Sequence, residues 1–302
     1  MTNTNDGHTT MNAKNIHTAA VLGAGTMGNG IAQVLAMTGI TTRLYDVAPG
    51  QVERGLGNVK SNLEKGVAKG KVAQADMDAA LKRLSGTTNL EEATLGVQCV
   101  IEAVPEKLEL KQSIFQELGE ALDADVLLAT NTSSLPITRI ASVTKHGERV
   151  VGMHFFNPVH IMKLVEVVET PKSSATAVAC AIELSKRMGK DPIRVKDSPG
   201  FASSRLGVLI GLEAMRMAES GVASPADIDK AMTLGYGFPM GPLELTDLVG
   251  LDVRMAIAEY LSKELGPRFE VPAILKEKVQ RGELGKKSGK GFYEWKDGAA
   301  VR

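Results

Sequence analysis

The chain has 302 residues, of which 43% are hydrophobic and 23% charged, with 35 Lys and Arg balanced by 35 Asp and Glu. This length suits two domains, and a formal net charge of zero leaves no basic field to attract nucleic acid or an anionic membrane. No apolar run approaches the ~20 residues of a membrane span, and Cys99 and Cys180 lack any motif spacing, so both read as small core residues.

Residues 1–15 are polar, rich in Thr and Asn, and have no apolar segment of the signal-peptide kind. They read as a disordered tail, with Met11 as an alternative start, and the expected compartment is the cytoplasm. The apolar run Ala19-Ala20-Val21-Leu22 is long enough for a buried strand. It leads into Gly23-Ala24-Gly25-Thr26-Met27-Gly28, a full G-x-G-x-x-G. A helical pattern through Ile31, Val34 and Leu35 stops at Gly39, and a second strand over Thr41–Tyr45 ends on Asp46. Each glycine has a role in holding a dinucleotide. Gly23 permits the sharp turn, Gly25 the approach of backbone to pyrophosphate, and Gly28 the close packing of helix on strand. Asp46 stands near the ~20-residue distance at which a carboxylate meets the ribose hydroxyls, which favours NAD over NADP. Arg43 belongs to the other side of that strand.

From about Pro49 to Leu84 a polar helical stretch breaks near Gly70 and carries Lys60, Lys65, Lys69, Lys71 and Lys82. A helical hairpin standing off the sheet fits it, and on pattern alone these lysines read as a solvated face. The run Cys99–Val104 is the next buried strand, closed by Pro105-Glu106, and a helix over 108–122 follows. The strand over 126–130 opens into Asn131-Thr132-Ser133-Ser134. Glu106 and this small polar cluster both occupy strand ends, where open α/β sheets bind ligands; the cluster equally suits a turn or helix cap.

Two apolar strands, one over 150–158 and one over 164–168, flank a turn near His160. Folded back antiparallel, they bring His154 level with Glu166, within side-chain reach. A histidine held by a carboxylate is a general base with its orientation and its cationic form both supported; a purely structural ion pair is the other reading. No other histidine has such a setting, and no His, Cys, Asp and Glu group has metal-ligand spacing, so no metal is expected.

A helix over 174–188 and a strand over 192–195 complete this half, and Asp197-Ser198-Pro199-Gly200 marks the boundary. The expected organisation is a Rossmann-type NAD-binding α/β domain over 16–198 with the hairpin excursion, then an all-helical domain over 199–302 supplying a cleft wall and a dimer interface. Ser224-Pro225 starts one of its helices with a cap and an N1 proline, Gly235–Pro242 forms an elbow, and a lone strand is expected at Gly291–Tyr293.

With these residues in view the chain resembles the short-chain L-3-hydroxyacyl-CoA dehydrogenases, including the bacterial 3-hydroxybutyryl-CoA type. The likeness runs from Ile16 to Trp295. Its carriers are Val21–Gly28, Asn131–Leu135, Met153–Pro158, Met162–Val167, Pro239–Leu245 and Gly285–Tyr293. Besides the glycine-loop residues Gly23, Gly25, Thr26, Met27 and Gly28, the resemblance implies cofactor contacts by Asp46, Glu106, Lys111 and Asn131. It implies His154 as base, Glu166 as its partner and Ser133 on the substrate 3-oxygen. Lys65 and Lys69 fall on positions that meet CoA phosphates, with Asn157 and Ser204 on the substrate side. Lys60, Lys71 and Lys82 stay on the solvated face.

Reversible oxidation of an L-3-hydroxyacyl-CoA by NAD, without a metal, is the implied activity, with a place in fatty-acid β-oxidation and a homodimeric state. One position departs from the family. In Pro199-Gly200-Phe201-Ala202-Ser203-Ser204-Arg205, Ser204 stands where the family has Asn. A serine hydroxyl is shorter but still donates, directly or through water. Competing readings are a relative acting on a dicarboxylyl-CoA such as 3-hydroxyadipyl-CoA or on a free hydroxy acid, and a non-catalytic NAD-binding relative.

Overall fold

A computed structural model describes residues 11–301. The run Ala19–Leu22 is buried on both faces and forms β1 (Thr18–Leu22), as expected of a central parallel strand. After it come α1 (Thr26–Met37), β2 (Thr41–Tyr45), the hairpin α2 (Pro49–Ala68) and α3 (Gln74–Arg83), β3 (Leu84–Thr87) and α4 (Leu90–Thr94). The chain continues with β4 (Cys99–Glu102), α5 (Leu108–Ala121), β5 (Leu127–Thr130), α6 (Ile137–Ala141), β6 (Val150–Phe155), β7 (Leu164–Glu169), α7 (Ala175–Arg187) and β8 (Asp191–Lys196).

These strands form one sheet in the order β3-β2-β1-β4-β5-β6-β7-β8. The first six are parallel, β7 runs antiparallel to β6, and β8 is parallel to β7. The chain leaves β1 in one direction through β2 and β3, then returns to place β4 on its other side. Such a reversal opens a crevice at the carboxyl ends of β1 and β4, where doubly wound sheets bind ligands.

Three sequence expectations change here. Ala13–Asn15 form a 3₁₀ turn, with Ala13 and Ile16 buried and their carbonyls accepting from Arg187, so residues 13–15 belong to the fold and not to the expected tail; residues 1–10 lie outside the described residues. β3 and α4 had no apolar run to announce them. Leu84-Ser85-Gly86-Thr87 becomes a strand by pairing with β2, and a side chain at Gly86 would strike Val52 of α2 at 2.3 Å. Nor does the hairpin stand clear of the fold. Gly55 packs on Leu44 of β2, while Val59, Leu63, Met77 and Ala80 close over Ala36 of α1.

Residues from Pro199 onward form a second compact unit. Its helices are α8 (Ser203–Glu219), α9 (Pro225–Lys230), α10 (Pro242–Val249), α11 (Leu251–Leu265) and α12 (Ala273–Gln280), joined around Leu212, Met215, Leu243, Leu251, Leu261 and Phe269. The end of the chain differs from expectation. Gly291–Tyr293 is a loop, and a short antiparallel hairpin follows it, β9 (Glu294–Lys296) with β10 (Ala299–Val301). Asp247 explains the loop. Its buried carboxylate accepts from Phe292 N at 2.8 Å, Tyr293 N at 2.9 Å and Trp295 Nε1 at 2.9 Å. A Cβ at Gly291 would sit 2.2 Å from that carboxylate, so the glycine is sterically required.

Candidate active site

The glycine loop divides its labour by geometry. Gly23 has φ +100°, and a Cβ there would meet the Ala103 carbonyl at 2.6 Å. At Gly28 a Cβ would overlap the Gly23 carbonyl at 1.7 Å, so helix and strand pack only with glycine. Around Gly25 nothing lies within 4 Å of the same virtual atom. The loop is therefore open on that face, and α1 starts there with no side chain capping its first amides. Unsatisfied N–H groups and the positive end of the helix dipole face the opening, the requirement for a pyrophosphate.

Asp46 closes the far side. Its Oδ2 accepts from Ala24 N at 3.0 Å and its Oδ1 from Ala48 N at 3.1 Å, which ties the acid to the loop. Each carboxylate oxygen retains acceptor capacity for a ribose hydroxyl. Arg43 points elsewhere, donating to the Leu95 carbonyl at 2.6 Å and the Ala93 carbonyl at 3.3 Å, at the end of α4. With this arginine committed there, a 2′-phosphate would meet Asp46 without its help.

At the next strand ends sits a charged network that the sequence reading only half anticipated. Lys111 is 1% exposed and donates to Glu102 Oε1 at 2.6 Å and to the Val104 carbonyl at 3.3 Å, with Glu106 Oε2 3.4 Å away. Its ammonium group is thus held among Glu102, Glu106 and the Val104 carbonyl at the end of β4. Glu106 Oε1 accepts from Thr132 Oγ1 at 2.5 Å and Ser133 N at 2.9 Å. Burial pushes the Glu102 carboxyl up, against the opposing pull of Lys111, Thr130 and the Val104 amide. Glu102 was not among the expected residues, and a carboxylate ending an otherwise apolar strand was the available signal, whereas Thr132 lay within the expected Asn131–Ser134 cluster. Asn131 bridges two strand ends, its Oδ1 accepting from Phe155 N at 2.9 Å.

The β6–β7 pair places His154 opposite Glu166 in register. His154 Nδ1 lies 2.7 Å from Glu166 Oε2, both side chains are buried, and the Phe156 ring stands 4.6 Å from the imidazole. A buried carboxylate accepts but does not donate when ionised, so Nδ1 carries the proton and donates it. His154 then joins Met27, Val104, Glu106, Asn131 and Ser133 around a cleft of about 250 Å³. The first turn of α1, the polar strand ends and the histidine thus converge on one space.

A neighbouring depression of about 300 Å³ is lined by Thr26, Asn58, Asn62, Lys65, Asn157 and His160. Lys69 and Lys71 border a larger one of about 620 Å³ that shares Lys65 and His160. Ser204 belongs to the second unit, in the first turn of α8.

Residues 18–198 match the family model described as 3-hydroxyacyl-CoA dehydrogenase, NAD binding domain, and residues 200–295 match the 3-hydroxyacyl-CoA dehydrogenase C-terminal domain. The chain belongs to the 3-hydroxyacyl-CoA dehydrogenase family. It is an NAD-dependent oxidoreductase, and the open face at Gly25 and the acid at Asp46 fit that cofactor. Among its relatives is the probable 3-hydroxybutyryl-CoA dehydrogenase of Bacillus subtilis, 42% identical over 278 residues, covering 92% of this chain and 96% of that one. The 3-hydroxyadipyl-CoA dehydrogenase of Escherichia coli is 43% identical over 93% of this chain but only 60% of its own length. The crystal structure of (S)-3-hydroxybutyryl-CoA dehydrogenase from Ralstonia eutropha superposes with a TM-score of 0.89 at 40% identity, covering 93% of this chain and 100% of that one.

Proposed function

We propose that this family member oxidises L-3-hydroxyacyl-CoA thioesters reversibly to 3-ketoacyl-CoA, with 3-hydroxybutyryl-CoA as substrate. The His154–Glu166 pair, set in one cleft with Ser133 and the first turn of α1, is the observation that carries this reading. NAD, when bound, supplies the hydride acceptor. His154 Nε2 takes the proton of the 3-hydroxyl, since Nδ1 is committed to Glu166. Glu166 steadies the imidazolium that results, and Ser133 donates to the 3-oxygen as negative charge gathers there. In the reductive direction the cationic His154 returns the proton.

The CoA half is assigned to the depressions carrying Lys65, Lys69 and Asn157, where ammonium groups suit phosphates and the amide suits the acyl-pantetheine end. Ser204 takes the role of the family asparagine toward the thioester. A homodimer is supported by the apolar side chains that the second unit leaves open, Leu234 and Tyr236 at 79% exposure together with Leu248, Val249 and Val253. The domain limits, 16–198 and 199–302, and the cytoplasm as compartment complete the proposal.

NADH oxidation by the purified protein with acetoacetyl-CoA, run beside free acetoacetate and 3-ketoadipyl-CoA, tests it. Turnover of acetoacetyl-CoA well above the other two is expected. Preference for the dicarboxylyl thioester would move the assignment toward the E. coli relative, and NADH binding without turnover of any of them would overturn it.

A further inference from the structure

The network at the ends of β4 and β5 contains a buried carboxylate that the reaction itself does not use. Glu102 is fully enclosed and receives three donors on two oxygens: Lys111 Nζ at 2.6 Å and Val104 N at 2.7 Å on Oε1, Thr130 Oγ1 at 2.7 Å on Oε2. The ammonium and amide donors on Oε1 and the hydroxyl on Oε2 favour the ionised form, against the burial that pushes this carboxyl up. Lys111, held from inside by Glu102, reaches outward to Glu106 at 3.4 Å, and Glu106 in turn receives Thr132 Oγ1 and the Ser133 amide. A continuous line of ion pairs and charge-assisted hydrogen bonds thus runs from the interior to the residue proposed to hold the substrate oxygen.

We propose that Glu102 is a positioning residue for the dehydrogenase reaction, anchoring Lys111 so that Glu106 and the Thr132–Ser133 turn stay fixed beside His154. Enclosed ion pairs are costly to assemble, so mere stability is a weak reason to keep one. Geometry supplies a better reason. Glu102 ends β4 and Thr130 ends β5, so the carboxylate sets the spacing of the two strand ends that carry Glu106 and Ser133. Without it, Lys111 keeps the Val104 carbonyl but has Glu106 as its one carboxylate partner, and is free to draw that side chain off the turn. The inference rests on the proposed function, because Ser133 must matter to turnover for its placement to be read out.

The test uses the full-length enzyme and three variants, Glu102→Gln, Glu106→Gln and the double variant. Wild-type turnover of acetoacetyl-CoA is measured first; its absence would fail the proposed function and not this inference. Glu102→Gln is expected to lower kcat about 10- to 100-fold while KM for the thioester stays within about threefold, the upper end being the cost of misplacing a reacting group by about 1 Å. The Kd for NADH, followed by its fluorescence, is expected to hold within about threefold, because the pyrophosphate and ribose contacts are untouched. The double variant is expected to be no slower than the worse single one, since both substitutions cut the same line. A lower Tm with kcat within twofold of wild type, or kcat losses that multiply in the double variant, would overturn the proposal. Should Glu102→Gln not fold, Thr130→Val removes one donor to the same carboxylate at constant shape, with a smaller kcat loss that is again non-additive with Glu106→Gln.

Discussion

Glu166 Oε2 stands 2.7 Å from His154 Nδ1, in a cross-strand pair whose two Cα atoms are register partners of β6 and β7. The imidazole is thus oriented by the strand pairing itself and not by a mobile loop. Removing the proposed base, His154→Ala, is expected to lower kcat about 10²- to 10⁴-fold, the usual contribution of a positioned base. Glu166→Gln keeps the shape but loses the charge that favours the imidazolium, and its kcat should fall while KM for the thioester changes little. Steady-state kinetics in both directions checks this; near-full turnover by His154→Ala would remove the histidine from the mechanism.

Asp46 faces the glycine loop while Arg43 is engaged at the end of α4. If Asp46 is the proposed ribose acceptor, Asp46→Ala raises KM for NAD about tenfold or more and narrows the preference over NADP, because that acceptor and the repulsion of a 2′-phosphate are both lost. The ratio of kcat/KM for the two cofactors reads this directly. An unchanged ratio would mean that cofactor choice is made elsewhere.

Lys190 is buried just before β8, and its ammonium group donates to the carbonyls of Val159 and Met162 in the turn between β6 and β7. Burial lowers its pKa. The same turn presents Asn157 and His160 to the lysine-bearing depression. Lys190→Met leaves two carbonyls without their donor and should destabilise the protein by about 1–3 kcal/mol. Amide exchange over 157–163 should accelerate beyond the global change. Uniform acceleration across the chain would instead mark Lys190 as a general stabiliser.

Glu283 gathers Lys278 at 3.1 Å, Lys290 at 3.1 Å and Arg281 at 3.4 Å, and the hydrogen bond from Lys278, followed by those from Lys290 and Arg281, lowers its pKa to about 2 from 4.5. A carboxyl whose folded pKa is depressed contributes stability above its unfolded value and loses it as pH falls toward the folded one. Glu283→Gln is thus expected to lower Tm at pH 7 by the equivalent of about 1 kcal/mol at most, given solvent screening. The gap between variant and wild type should close as pH drops from 4.5 toward 2. A gap independent of pH would mean that packing, not charge, is lost.

Much of this protein is written in local pattern. The glycine motif between two apolar runs specifies strand, turn and helix because only glycine takes the φ of Gly23 and the contact at Gly28. Equal spacing about His160 specifies the pairing of His154 with Glu166, since a two-residue period admits one face at a time. Long-range pairing decided what local pattern could not. β3 exists because β2 offers it an edge, and the 3₁₀ turn at Ala13–Asn15 is ordered because Arg187, far along the chain, caps its carbonyls. The interior position of Lys111 is of the same kind. A lysine in an amphipathic helix reads as a solvent-facing cation, and only the packing of α5 beside Glu102 turns it inward, because desolvating that charge is tolerable solely where two carboxylates and a carbonyl receive it.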